Sequence, residues 1–463
     1  MANEYDLIVI GSGTGGYVAA IRAAQLGLRT AVVERAPVLG GTCLNWGCIP
    51  TKALLEHAHA LKIAQGWKEW GLTIGEAAIG IDMAQVQARK DKIVKGLTGG
   101  IELLFRKNKI DWIKGSGRLA GKGKVEITDG QKQTISARKE IVVATGSQPR
   151  SVPGVEIDRR RIITSDEAIG LKDVPKSIVI LGSGAVGVEF GSIFRRFGSE
   201  VTIVEMADRL IRREDPDVSG CVAEILECEG IHLRLNATCI GFEDVDGRPG
   251  VNVECHAGPP TVVGTHVLLA VGRRPNTADL GLERAGIAVD PTGYITVDDE
   301  LRTNVDGVWA LGDCNGRGAF THTSYNDAEI VVANLLDNDR RRVSDRIPTY
   351  GLFIDPPLGR AGMTDADVKK SGRRALVATR PMTKVKRAVE KGESQGFMKI
   401  AVDADTKEIL GAAVLGPGGD EVIHSILDVM YARKPYTLVQ RAMHIHPTVS
   451  ELLPTLLGDL QPM

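Results

Sequence analysis

One segment that occurs twice narrows the folds open to this chain more than any other feature. YDLIVIGSGTGGYVAAIRAAQLGLRTAVVER at 5–35 is echoed by KSIVILGSGAVGVEFGSIFRRFGSEVTIVEM at 176–206. Each copy reads as an apolar strand, a glycine turn, a helix with apolar residues at spacings of three and four, a closing glycine and a second strand ending in Glu34 or Glu205. That is a β-α-β unit twice over, so two parallel sheets covered by helices are expected. With 463 residues the chain exceeds what one core fills, and several domains follow.

Between the copies, PTKALLEHAHALK predicts a helix opened by Pro50. IDMAQVQARKDKIVKGLTGGIELLFRKNK predicts a longer one with Ile93, Leu97, Ile101 and Leu104 on one stripe, bent or interrupted at Gly99-Gly100. Strands dominate from 110 to 145 and end at VVATGSQPR; a proline-punctuated stretch at 149–175 then marks a boundary. HVLLAVGRRPN at 266–276 and DGVWALGDC at 306–314 read as short buried strands, the second returning to the first domain. From Ile347 the character changes: FMKIAVDADTKEILGAAVLG predicts an antiparallel hairpin, and DEVIHSILDVMYAR and VSELLPTLL predict helices. The expected fold is α/β, with two Rossmann-like dinucleotide-binding domains and a C-terminal α+β domain. Its segments are 1–150, 151–274, a return to the first domain over 275–346, and 347–463.

The chain carries 57 basic and 58 acidic residues without a block of like charge, which argues against nucleic acid or a membrane surface as partner. No apolar run reaches the length of a membrane span, and MANEYDLIVIG has the look of no export signal, so a cytoplasmic protein is expected. The seven cysteines are an odd, scattered set, which fits a reducing compartment in which any disulfide is catalytic. Cys221, Cys228, Cys239, Cys255 and Cys314 stand singly and read as packing residues.

Gly11, Gly13 and Gly16 permit a tight turn and close approach of the backbone to a pyrophosphate at a helix N-terminus, and Glu34 suits ribose hydroxyls. Gly182, Gly184, Gly187 and Glu205 repeat the set; a carboxylate at Glu205 favours NADH by repelling the extra phosphate of NADPH. Arg209, Arg212 and Arg213 just downstream offer either a 2'-phosphate contact or a solvated helix face. In GGTCLNWGCIPTKALL, Cys43 and Cys48 meet the start of a helix, where unpaired N–H groups and the dipole lower a thiol's pKa. Zinc is the competing reading, but no second ligand cluster accompanies the pair, and two buried structural thiols remain a third reading. Lys52 and Glu189 follow motifs closely and, if buried, would compensate one another. In HIHPTVSELL, Pro447 starts a helix and Glu451 reaches back to His446, either as an acid–base pair or as a cap; His444 reads as structural.

Taken together these motifs resemble the flavoprotein disulfide reductases, the family of dihydrolipoamide dehydrogenase, glutathione reductase and mercuric reductase, over essentially the whole chain. The resemblance implies that Cys43 and Cys48 form a redox disulfide and that Lys52 sits by the flavin. It places FAD on Gly11, Gly13, Gly16, Glu34, Thr42, Thr145, Gly146, Gly312 and Asp313, and NADH or NADPH on the second glycine turn, Glu205 and Gly272. It implies a homodimer in which His446 and Glu451 of one subunit complete the site around the cysteines of the other, a small disulfide or lipoyl substrate, and no metal. HPTVSE and Glu205 are most similar to dihydrolipoamide dehydrogenase. After ALGDC the chain departs from the AHKAEEEG-like start of that type and reads AFTHTSYNDAEI, closer to mercuric-reductase-like flavoproteins, yet the tail GDLQPM lacks the vicinal cysteines of that enzyme. Alternatives to the dihydrolipoamide reaction are therefore a metal-ion reductase and a glutathione-type reductase.

Overall fold

A computed structural model of the chain describes residues 3–73, 79–130, 132–254, 258–337 and 339–463; Cys255 lies outside the described residues. The chain forms two compact units. The first comprises Met1–Ala53, Ala84–Arg150 and Gly272–Arg346, the second Leu54–Met83, Ser151–Val271 and Ile347–Met463.

In the first unit the strands Asp111–Lys114, Thr30–Glu34, Glu4–Ile10 and Gln133–Val143 pair in parallel in that order. Lys124–Ile127 and Gly117–Leu119 extend the sheet antiparallel. Val308–Ala310 joins in parallel beside Gln133–Val143, which is the return read from DGVWALGDC. Strands such as TAVVE are buried along their whole length because helices and loops cover both faces of a parallel sheet. Ala19, Ala20 and Ala23 of the helix Thr14–Gln25 share a core with Ile8, Val32, Ile141 and Val142; small side chains there let helix and sheet lie close.

The second unit repeats the parallel arrangement with His232–Arg234, Glu200–Val204, Ser177–Leu181, His266–Leu269 and Ile162–Ile163. It also holds a six-stranded antiparallel sheet ordered Thr349–Leu352, Leu358–Gly362, Ile409–Leu415, Phe397–Asp403, Ala375–Pro381 and Gln461–Pro462. The helix Gly419–Tyr431 packs Ile423 and Ile426 into the core shared with Ile400 and Val414.

Several expectations are corrected. The helix Met83–Lys107 runs unbroken through Gly99 and Gly100, which lie on its exposed side with no neighbour that a side chain would meet. Its buried stripe is Val86, Lys90, Thr98, Ile101 and Phe105, whereas Leu97 and Leu104 are exposed. Arg209, Arg212 and Arg213 occupy the loop between Val204 and Pro216 and not a helix. Pro447 precedes the helical turn, which starts at Ser450. Cys228 is exposed and not a packing residue, while Cys314 is fully buried. Among the described residues no helix is long and apolar enough to cross a membrane.

Two ion clusters tie distant segments of the second unit together. Asp355 Oδ2 lies 3.1 Å from each of His59 Nδ1, Lys62 Nζ and Arg196 Nη2. Buried Arg360 and Lys399 meet Asp215 at 2.7 and 2.9 Å, and Lys399 adds Asp217 and Asp365. Burial alone would raise the Asp355 carboxyl, but the His59 hydrogen bond and the charges of Arg196 and Lys62 outweigh it and hold it well below the usual carboxylate range. A depressed folded-state pKa gives stability that is present above the unfolded value near 3.9 and lost as pH falls below it. Asp355→Asn should therefore destabilise the protein by about 2 kcal/mol at neutral pH, since buried Arg196 is left with Glu229 as its carboxylate partner. In thermal melts across pH the gap to the unsubstituted chain should narrow below about pH 4; a constant gap would refute this account.

Candidate active site

The two glycine turns are built alike atom for atom. Gly11 and Gly182 have φ of +104° and +98°, and a Cβ on either would stand 2.4 or 2.5 Å from the carbonyl oxygen of Ala144 or Ala270. A Cβ on Gly16 or Gly187 would stand 2.0 Å from the carbonyl oxygen of Gly11 or Gly182. These positions exclude every other residue, whereas Gly13 and Gly184, at the helix N-termini, face open space. Glu34 Oε2 accepts the Ser12 N–H and hydroxyl at 2.8 Å each, and Glu205 Oε2 accepts those of Ser183 at 2.9 and 2.6 Å. The other oxygen of each carboxylate accepts a backbone N–H two residues on, from Ala36 and Ala207. Glu34 is buried and Glu205 half-buried.

In the first unit further polar groups gather around the first turn. The hydroxyls of Thr14 and Thr145 are shut off from solvent without a partner at good hydrogen-bonding geometry, the first beside Tyr17 and Cys43 and the second beside Cys314. Asp313 accepts the Ser147 hydroxyl at 2.5 Å with Arg273 Nε 4.0 Å away, and burial nevertheless pushes its carboxyl upward. The turn carrying Gly312 and Asp313 is clamped by Asp327, whose Oδ2 accepts from Gly312 N at 2.8 Å and Asn315 Nδ2 at 3.1 Å. Gly146 holds φ of +67° and its carbonyl accepts from Asn276 N. Gly272 opens the returning segment of this unit at φ +102°, its carbonyl accepting from Arg150 N. Buried unpaired hydroxyls, a carboxyl short of partners and an open helix N-terminus suit a polar dinucleotide such as FAD, held by Gly13, Thr14, Glu34, Thr145 and Asp313.

The cysteine motif is docked onto that turn. Gly40 N donates to Ser12 O at 3.0 Å, and a Cβ on Gly41 would lie 2.5 Å from Gly13 Cα. Thr42 and Cys43 follow in the short helix Gly41–Asn45, and Cys48 is the first residue of the helix Cys48–Gln65. The helix thus starts two residues before Pro50. The two sulfurs are in contact. The Cys43 thiol is held well above the ordinary thiol range, first by its hydrogen bond to Cys48 and then by burial, while hydrogen bonds from Thr321 and Thr14 pull the other way. Thr321 Oγ1 lies 3.1 Å from Cys48 Sγ.

In the second unit His446 Nδ1 lies 2.8 Å from Glu451 Oε2, with the imidazole 68% exposed and the carboxylate 15% exposed. Glu189 is buried there, its Oε1 accepting from Phe353 N at 3.1 Å, while Lys52 belongs to the first unit and is half-buried. Sequence reasoning brought together Cys43 with Cys48 and His446 with Glu451, but missed Thr321, Asp327 and the Gly41–Gly13 contact. The double glycine before Thr42 was the available signal for the last.

A flavin turn, a second nucleotide turn and a sulfur pair at a helix start define a pyridine-nucleotide disulfide oxidoreductase. The chain belongs to that family: the pyridine nucleotide-disulphide oxidoreductase model matches residues 5–328 and its dimerisation domain matches 348–457. The family brings FAD and a pyridine nucleotide, and the dimerisation domain implies a homodimer. Dihydrolipoyl dehydrogenase 3 of Pseudomonas putida is 39% identical over 97% of both chains. Leghemoglobin reductase of Glycine max is 35% identical over 97% of this chain and 86% of its own. Among solved structures, the HOCl-induced flavoprotein disulfide reductase RclA of Escherichia coli superposes with a TM-score of 0.88 at 33% identity, covering 98% of this chain and 99% of that one. The chain is a flavoprotein disulfide reductase.

The Gly41–Gly13 contact generates a test. Gly41→Ala puts a methyl group where backbone must move and asks alanine to hold φ +57°. A loss of about 2 kcal/mol or more is expected, with less flavin bound per chain. Full flavin content and an unchanged Tm would show that the docking is not needed.

Proposed function

We propose that the protein is an NADH-dependent disulfide reductase of the dihydrolipoyl dehydrogenase kind, working through Cys43 and Cys48. The observation that carries the reading is the sulfur pair itself: Cys48 at a helix start with Cys43 against it. FAD, when bound, supplies the two-electron relay between pyridine nucleotide and sulfur. Glu205, fixed by Ser183 and Ala207, is suited to a ribose with free hydroxyls and repels a 2'-phosphate.

In the reduced pair, Cys48 carries the negative charge and Cys43 the proton. Cys43 gives its proton to His446, attacks one sulfur of the substrate disulfide and forms a mixed disulfide; the departing sulfur takes that proton back from His446. Cys48 then attacks Cys43, the second substrate sulfur leaves as a thiolate that takes a proton from solvent, and the Cys43–Cys48 bond is restored. Glu451, bonded to Nδ1, fixes the tautomer and leaves Nε2 to carry the proton. In the homodimer the His446–Glu451 pair of one subunit serves the cysteines of the other, and Lys52 attends the flavin. The free thiols at Cys221, Cys239 and Cys314 support a reducing, cytoplasmic setting.

A second reading, reduction of a metal ion, draws on the similar RclA structure having been solved as a Cu(II) complex. Steady-state rates with lipoamide, glutathione disulfide, mercuric ion and Cu(II), each with NADH and NADPH, separate the readings. The highest kcat/KM is expected for lipoamide with NADH; a faster reaction with glutathione disulfide or a metal ion would replace the assignment. Cys43→Ser should keep its flavin and lose disulfide turnover by about 1,000-fold or more, and retained turnover would remove Cys43 from the mechanism. Glu205→Ala should narrow the preference for NADH over NADPH by about tenfold, read as the ratio of kcat/KM values.

A further inference from the structure

We propose that Thr321 is a positioning residue of the redox pair: its hydroxyl donates a hydrogen bond to the Cys48 sulfur once the pair is reduced and so helps to keep the negative charge there. The inference rests on the cycling of Cys43 and Cys48 proposed above. Thr321 lies 273 positions from Cys48 in the chain, yet its Oγ1 sits 3.1 Å from Sγ, short for a contact between sulfur and oxygen. Between a neutral thiol and a hydroxyl either partner can donate. Against a thiolate only the hydroxyl can, so the bond gains strength in the reduced state and acts selectively on it.

The surroundings decide which sulfur receives it. The hydroxyl also reaches Cys43, but its 3.1 Å contact is with Cys48, which begins its own helix and faces the positive end of that helix's dipole. A negative charge on Cys48 thus meets the Thr321 O–H and the helix N-terminus together. The other titratable groups around the pair are Tyr17, which senses the charge on Cys43, Tyr325 one turn along the Thr321 helix, and Lys52 one turn along the Cys48 helix. The Thr14 hydroxyl also faces the pair, from the side of Cys43.

The placement is rigid. Thr321 is the first residue of the helix Thr321–Val332. Three residues on, Ser324 Oγ accepts from Gly15 N at 3.1 Å, and six residues on, Asp327 clamps the Gly312 turn. A β-branched side chain on a helix pinned at two points has little freedom to turn its hydroxyl elsewhere. Thr321 also falls where AFTHTSYNDAEI leaves the AHKAEEEG-like pattern, with threonine in place of alanine before the histidine.

The experiment uses the holoenzyme. Thr321→Val keeps the shape and removes the hydroxyl, and Thr321→Ser keeps the hydroxyl. In protein reduced by two electrons, the long-wavelength absorbance of a thiolate beside the flavin is followed against pH. The midpoint of that band should rise by about one unit in Thr321→Val, and Thr321→Ser should restore it. If Thr321→Val binds flavin poorly, the exchange of the pair with glutathione, two glutathione thiols giving one disulfide as the pair becomes a dithiol, is read on thiols alone. That equilibrium should move about tenfold toward the Cys43–Cys48 disulfide. Superimposable pH profiles and an unmoved glutathione equilibrium would overturn the role of Thr321. If the unsubstituted protein itself shows neither a thiolate band nor exchange, it is the cycling of the pair that fails.

Discussion

The site depends on backbone lying against backbone where no Cβ fits. Gly11 runs under Ala144, Gly16 against Gly11, and Gly41 against Gly13. The first two contacts aim the helix N-terminus and its unpaired N–H groups past the sheet edge, and the third seats the cysteine motif on that same turn. A nucleotide turn and a redox pair are thereby held against each other by main-chain contacts that leave no slack. The cost of glycine's freedom in the unfolded chain is offset by a geometry that no other residue permits.

Electrostatics then divides labour between two chemically identical side chains. Both sulfurs lie in the same few ångströms, but Cys48 begins a helix and Cys43 sits in a separate short turn against it. Burial and the bond to its neighbour raise the Cys43 thiol, while only Cys48 stands at the start of a long helix. The two sulfurs are set apart by their places in the fold and not by cysteine's own chemistry.

Much of this was legible in the sequence because the relevant signals are local. The repeated glycine spacing, Glu34 and Glu205 at strand ends, Cys43 with Cys48, and His446 with Glu451 all fall within short windows, and each pair or turn took the expected local shape. What escaped notice joins residues far apart: Thr321 with Cys48, Asp327 with the Gly312 turn, and Asp355 with Lys62 across 293 positions. No periodicity reports such contacts. The long helix departs from its apolar pattern for a different reason. Its leucines predict one buried face, yet Thr98 turns its hydroxyl back to Val94 O and Lys90 bonds Gln87, so both hide on the inner side while Leu97 and Leu104 face outward.

The carboxylate–serine clasp exists in two copies that differ in one respect. In the first, Glu34 is closed off from solvent; in the second, Glu205 is half open and followed by Met206, which is 72% exposed. A carboxylate shut away from solvent can meet only a group that is buried with it, whereas one left half open is within reach of whatever the medium carries. The same few atoms, copied and then buried to different depths, thus face two different surroundings.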